Sequence, residues 1–88
     1  MLVREYIVFG RVQGVYYRAT AKRYADQLGV TGFAQNKPDG TVLVVAQADE
    51  RTLERFLGKL RQGSLLSRVD EVQVKSLKQV GFSQFEVR

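Results

Sequence analysis

The chain of 88 residues contains no cysteine and no histidine. Without cysteine there can be no disulfides or thiolate nucleophiles, and without histidine there is no imidazole general base. Zinc sites made of the usual ligands are excluded for the same reason. The composition leaves open an oxygen-ligand site for Mg²⁺ or Ca²⁺, although the nine acidic residues are scattered and show no ligand-loop spacing. Catalysis by this chain would therefore use arginine, amide, hydroxyl or backbone groups.

Long apolar segments are also missing. No apolar run approaches the roughly 20 residues that span a bilayer. The start of the chain has neither the charged region nor the apolar stretch of a signal peptide. We therefore expect a cytoplasmic protein with no membrane partner. Its 88 residues predict one domain over 1–88, because a second core would not fit.

Negative charge is in the minority. Fourteen basic and nine acidic residues give a formal net charge of +5. A basic balance favours anionic partners, because it steers them toward the surface. It does not separate a small phosphate compound from a nucleic acid, and a basic surface without a specific partner fits equally well.

Two segments have the apolar spacing of amphipathic helices. Asp49 is a favourable N-cap for the second, and Gly29 and Gly63 mark the ends of the two helices. The apolar residues that define them are Tyr17, Ala21, Tyr24, Ala25 and Leu28 in the first helix and Leu53, Phe56, Leu57 and Leu60 in the second.

Runs of apolar and β-branched residues predict four strands, at residues 6–9, 30–37, 41–46 and 69–77, with a short final strand or extended tail at Phe85 and Val87. The sequence Lys37-Pro38-Asp39-Gly40 predicts the turn of a hairpin. Each helix must cover the sheet with its apolar stripe. The order β-α-β-β-α-β therefore predicts an α+β fold, a two-layer ferredoxin-like sandwich with an antiparallel sheet and two helices on one face.

The segment Gly10-Arg11-Val12-Gln13-Gly14-Val15-Tyr16-Tyr17-Arg18 leads from the first strand into the first helix. Gly14 permits an unusual backbone conformation and close approach of a ligand, and the helix N-terminus supplies unpaired amides. Arg18 can bind two phosphate oxygens through its planar guanidinium. These features indicate an anion site, while a tight turn followed by a surface arginine is an equally good interpretation.

Asn36 is a second candidate functional residue. Strand alternation places it on the same face as Ala34, the face covered by helices, so its amide is expected to point toward the loop. There it could hold a water with one donor and one acceptor. Asn36 is also a favourable residue beside the turn that follows it, and this alternative needs no function.

These residues resemble the two signature blocks of the acylphosphatase family. The first block is residues 10–18, and the second is Gly32-Phe33-Ala34-Gln35-Asn36-Lys37-Pro38-Asp39-Gly40-Thr41-Val42. The resemblance implies a ferredoxin-like fold and hydrolysis of the carboxyl–phosphate bond of small acyl phosphates, with no cofactor or metal. We also expect phosphate or sulfate to occupy the site and the protein to be a monomer.

The resemblance assigns roles to individual residues. Arg18 is implied to be the catalytic, phosphate-binding arginine, and Asn36 is implied to position the attacking water. The backbone from Gln13 to Tyr17 is implied to cradle the phosphate, so the phosphate-binding set is Gln13, Gly14, Val15, Tyr16, Tyr17 and Arg18.

The sequence departs from the family pattern at several positions. Tyr16 and Tyr17 stand where the family often has Gly and Phe, Leu43 stands where a Glu usually occurs, and Leu65 replaces a common Pro. None of these positions is Arg18 or Asn36.

Two alternative functions share the predicted fold. RNA-recognition domains have the same element order and basic charge. The third predicted strand, however, contains no aromatic residue on which a base could stack. The second alternative is a non-catalytic regulatory module, because acylphosphatase-like domains also occur within larger maturation proteins.

Overall fold

The computed structural model describes residues 1–78 and 81–88. The elements, in chain order, are β1 (Leu2–Arg11), α1 (Tyr17–Leu28), β2 (Thr31–Asn36), β3 (Val42–Ala48), α2 (Glu50–Gln62), β4 (Arg68–Leu77) and β5 (Phe85–Val87). The predicted order is confirmed. Its boundaries move by one or two residues for most strands, whereas β1 is longer than the predicted segment at both ends.

The five strands form one sheet in the order β4-β1-β3-β2-β5. The predicted antiparallel pairing is correct for the first four strands, but the prediction of a wholly antiparallel sheet is wrong, because β5 pairs parallel to β2. The reason is topological. The chain reverses once after β4, so β5 runs opposite to β4 and therefore in the same direction as β2.

The core lies between the two helices and one face of the sheet. Phe56 of α2 is at its centre, with edge-to-face ring contacts to Tyr6 at 6.2 Å and to Phe85 at 6.0 Å between centroids. Because Phe85 belongs to β5, this short strand contributes to the core. The apolar positions that predicted the helices face this core as expected, with Tyr24 and Leu28 only partly buried.

The predicted helix ends are confirmed. Asp49 Oδ1 accepts a hydrogen bond from the backbone N–H of Thr52 at 2.8 Å, which satisfies a free donor in the first turn of α2. The backbone N–H of Gly29 donates to the carbonyl of Ala25 at the end of α1. These contacts mark the start of α2 and the end of α1.

Across residues 1–78 and 81–88, every helix is too short or too polar to serve as a membrane span. The same residues bring together no cluster of three or more acidic, cysteine or histidine side chains that could hold a metal ion.

Candidate active site

The connection between β1 and α1 has two residues in the left-handed region, Gly14 with φ of 73° and Tyr16 with φ of 62°. Alternating backbone conformations of this kind turn successive N–H groups toward one point. Within the described part of the chain, the N–H groups of residues 14–19 donate to no acceptor, and the N–H of Thr20 donates to the Tyr16 carbonyl at 3.0 Å. The loop therefore presents a run of unpaired donors at the positive end of α1.

A cavity of about 380 Å³ lies against this loop and the start of α1. It is lined by Val12, Gly14, Tyr16, Tyr17, Arg18, Ala19, Asn36 and Val87. These residues include one cation and no carboxylate, so the charge in the cavity wall is positive. Four of the six residues predicted to bind phosphate line this cavity together with Asn36.

Arg18 is held from the opposite side of the cavity. Its Nη1 donates to the main-chain oxygen of Arg88 at 2.6 Å, and the backbone N–H of Arg88 donates to the carbonyl of Ala34 at 2.8 Å. The guanidinium is therefore tied to the end of β5 and, through it, to β2. A guanidinium has five N–H donors. The main-chain oxygen of Arg88 is its one hydrogen-bond partner within residues 1–78 and 81–88, so other donors stay available to a ligand.

Asn36 is at the end of β2, two residues beyond the fully buried Ala34. It is half-buried and faces the cavity, as the strand alternation predicted. Its Oδ1 is buried and has no hydrogen-bond partner within the described residues. A buried acceptor in the wall of a polar cavity is a position for an ordered water, because an unsatisfied polar atom there is unfavourable.

The side chain of Gln13 does not line the cavity. Its Nε2 donates to the carbonyls of Lys37 at 2.7 Å and Thr41 at 2.9 Å. These two carbonyls flank the turn between β2 and β3, and Lys37 directly follows Asn36. The Gln13 amide thus fastens the loop of unpaired donors to the strand end that carries Asn36.

Val15 is also turned away from the cavity, and it is buried in the core. Its carbonyl accepts a hydrogen bond from Ser64 Oγ at 2.6 Å. Ser64 lies in the connection between α2 and β4, so this connection supports the loop from behind. The sequence signal for this contact is Gly63-Ser64 after α2, and by itself it indicates only the end of a helix.

Tyr17, the first residue of α1, fixes the helix to its neighbour. Its buried hydroxyl donates to the carbonyl of Leu60 in α2 at 2.7 Å. Burial, followed by the nearby Tyr24 hydroxyl, raises the pKa of Tyr17, so the hydroxyl stays a donor. The contact holds the start of α1 in place below the cavity.

Sequence reasoning missed the supporting roles of Arg88 and Ser64. Arg88 acts through its main-chain oxygen, and the side-chain type of a residue does not show what its main chain contacts. Both contacts join residues that are far apart in the chain, 70 positions for Arg18 and Arg88 and 49 for Ser64 and Val15.

The fold and the cavity together define a class. The chain is a small α+β protein of ferredoxin-like architecture, with a cavity of unpaired amides, one arginine and one asparagine at the start of its first helix. A family model described as Acylphosphatase matches residues 4–87. The chain belongs to the acylphosphatase family.

Relatives and solved structures agree with this assignment. The chain is 48% identical to the acylphosphatase of Thermus thermophilus over an alignment of 81 residues, and this alignment covers 92% of each chain. The crystal structure of acylphosphatase from Bacillus subtilis superimposes with a TM-score of 0.96 at 32% identity, over 100% of this chain and 99% of that one. These matches do not favour the alternative of an RNA-binding module.

Part of a much larger protein has the same fold. Full-length HypF, crystallised in its phosphate- and nucleotide-bound form, matches with a TM-score of 0.91 at 25% identity over 99% of this chain and 12% of that chain.

Proposed function

We propose that this chain hydrolyses the carboxyl–phosphate bond of acyl phosphates, releasing a carboxylate and inorganic phosphate. The observation that carries the proposal is the unpartnered Oδ1 of Asn36 in the same cavity wall as Arg18. An anion bound by the guanidinium and the loop amides would have a water-binding acceptor beside it. Family membership supports the same reaction.

Phosphate binding is assigned to the loop and to Arg18. The unpaired amides of residues 14–18 and the free N–H groups of the guanidinium lie in and beside the wall of the cavity, and both favour a dianion. Gln13 and Val15 take part through the backbone and through the contacts that hold the loop, because their side chains are directed elsewhere. The bound ligand would be the phosphoryl group of the substrate, or inorganic phosphate or sulfate.

The proposed reaction is an in-line displacement at phosphorus. A water held by Asn36 forms the new O–P bond while the P–O bond to the acyl group breaks, and its electron pair leaves with the carboxylate. The lining residues include no carboxylate or other base, so the water's proton passes to a phosphoryl oxygen. The loop amides and Arg18 stabilise the negative charge on the equatorial oxygens in the transition state.

A carboxylate is a good leaving group, so the reaction needs no strong general acid. We accordingly propose a metal-independent enzyme. We also propose that residues 1–88 act as one domain, which the one core cluster formed by the described residues supports, and that the chain is a monomer. Acyl phosphates are anions that do not cross membranes unaided, and we propose that the chain meets them in the cytoplasm.

The proposal is tested by hydrolysis of benzoyl phosphate in the presence of EDTA. We expect Asn36→Ala to lower kcat by on the order of 10²- to 10³-fold with little change in the affinity for inorganic phosphate. Gln35→Ala is the matched control, because its exposed side chain alternates to the other face of β2. Wild-type turnover in Asn36→Ala would contradict the assigned role.

Arg18 is tested in the same assay. Arg18→Ala should raise KM and lower kcat, since the guanidinium contacts the phosphoryl group in both the ground state and the transition state. Arg18→Lys keeps the positive charge but cannot bind two phosphate oxygens in a bidentate manner, so we expect only partial activity. A wild-type chain that binds phosphate and never hydrolyses benzoyl phosphate would favour the non-catalytic alternative.

A further inference from the structure

A second cavity of about 510 Å³ adjoins the candidate active site and shares Tyr16 with it. This side cavity is lined by Val15, Tyr16, Thr20, Arg23, Tyr24 and residues 62–66. Tyr16 is 77% exposed and Leu65 is 98% exposed, so apolar surface is available at its mouth. The two cavities therefore meet at Tyr16.

The walls of the side cavity are held in place by hydrogen bonds. Ser64 Oγ donates to the Val15 carbonyl at 2.6 Å, and Thr20 Oγ1 donates to the Tyr16 carbonyl at 2.8 Å. Ser67 Oγ accepts from the backbone N–H of Ser64 at 2.8 Å and closes the connection between α2 and β4. The same loop thus forms a wall of both cavities, and its position is fixed from the side-cavity face.

The cation of the side cavity is Arg23. Its exposed guanidinium lies 5.5 Å from the centre of the Tyr24 ring, and Lys59 Nζ lies 5.4 Å from the same ring. Within residues 1–78 and 81–88, Arg23 has no carboxylate within 4.0 Å, whereas the neighbouring Lys22 pairs with Asp26 at 2.9 Å. Arg23 is therefore able to pair with an anion brought by a ligand.

Tyr16 links the two cavities. Arg18 and Arg23 are five positions apart on α1, which separates them by a rise of about 7.5 Å along the helix axis and by roughly 140° around it. One ligand that reaches both side chains therefore has to pass over Tyr16, which borders both cavities. Ala19, one turn before Arg23, has a small side chain and lines the cavity of the candidate active site.

We propose that the side cavity is the acyl-group subsite and that Arg23 selects acyl phosphates with a second anionic group at the far end of the acyl chain. The apolar part of the acyl group lies against Tyr16 and Leu65, and its distal carboxylate or phosphate pairs with Arg23. This inference rests on the proposed acyl phosphate hydrolysis and adds the substrate class that the site prefers.

The test compares benzoyl phosphate with 3-carboxybenzoyl phosphate, which differs only by a distal carboxylate. We expect the wild type to have the higher kcat/KM for the carboxylated substrate. Arg23→Gln should lower that kcat/KM about two- to fivefold, as for an exposed ion pair, and leave benzoyl phosphate unchanged. Raising the salt concentration should reduce the preference in the wild type but not in Arg23→Gln.

Lys22→Gln is the matched control, because it makes the same change in net charge at the next position and should leave the ratio of the two kcat/KM values unaltered. If Arg23→Gln and Lys22→Gln affect the ratio equally, or if neither changes it, the subsite proposal is wrong while the hydrolytic function stands. If the wild type hydrolyses neither compound, the proposed function itself fails.

Discussion

Replacing Tyr17 with Phe removes one buried hydroxyl and keeps the ring. The hydroxyl donates to the carbonyl of Leu60 in the last turn of α2. The usual helical donor to that carbonyl would be the N–H of Ser64, which instead donates to Ser67 Oγ. Tyr17→Phe therefore leaves a buried acceptor without its partner.

An unsatisfied buried acceptor costs about 1–3 kcal/mol, so we expect the free energy of unfolding to fall by about 2 kcal/mol. In a domain of this size that loss lowers Tm by roughly 8–16 °C. Urea unfolding followed by far-UV circular dichroism measures it as a lower midpoint with an unchanged m-value.

Two other tyrosines provide controls. The hydroxyl of Tyr24 lies 3.4 Å from the Gly63 carbonyl, near the limit for a hydrogen bond, so Tyr24→Phe should cost less than about 0.5 kcal/mol. The buried hydroxyl of Tyr6 has no hydrogen-bond partner among the described residues, and Tyr6→Phe should not destabilise the fold. If Tyr17→Phe proves as stable as Tyr24→Phe, the assigned role of the Leu60 contact is refuted.

Three further predictions follow from single contacts. Gln13→Ala should lower kcat for benzoyl phosphate about 10- to 100-fold, because the loop is released from the strand end beside it; an unchanged kcat would argue against this positioning role. Gly32→Ala should destabilise the fold by about 3 kcal/mol or more in urea unfolding, because a Cβ there would overlap the Val45 carbonyl oxygen and the φ of +141° is strained for any residue with a Cβ. Gly58 in α2 is the control, because a Cβ at this position would meet nothing within 4 Å. Gly58→Ala should stabilise the fold by about 1 kcal/mol. Equal effects of Gly32→Ala and Gly58→Ala would contradict the close contact between Gly32 and Val45. Asp49→Ala should lower Tm at neutral pH but not at low pH. The backbone N–H and then the hydroxyl of Thr52 hold the pKa of Asp49 below its ordinary 3.8, so the contribution of the carboxylate to stability is lost as pH falls through that lowered value. A Tm loss that does not vary with pH would count against the cap.

The hairpin turn shows how local chemistry carried a correct prediction. Asp39 Oδ1 accepts hydrogen bonds from both the backbone N–H and the hydroxyl of Thr41, at 3.0 and 2.6 Å, and this lowers the pKa of Asp39. Gly40 donates back to the carbonyl of Lys37 at 3.1 Å. All of these partners lie within four residues of one another, so the sequence alone contained the information.

The roles of Gln13 and Val15 show the limit of the same reasoning. The signature block assigned only the backbone of these two residues to the phosphate cradle. In the structure the side chain of Gln13 reaches Lys37 and Thr41, and Val15 packs in the core. A motif specifies which residues form a loop. It does not specify where each side chain points, because that depends on neighbours brought in by the fold.

The functional roles of Arg18 and Asn36 follow from the family resemblance and stay predictions. The amino-acid sequence by itself determined the helices, the strands and the glycine-containing loop before α1. These depend on periodicity, caps and short-range backbone preferences, which act within a few residues. Only the tertiary structure decided that β5 pairs parallel to β2, that the main-chain oxygen of Arg88 holds Arg18, and that Arg23 borders a second cavity. Those features join segments distant in the chain, and packing of the complete sheet and helices is what brings them into contact.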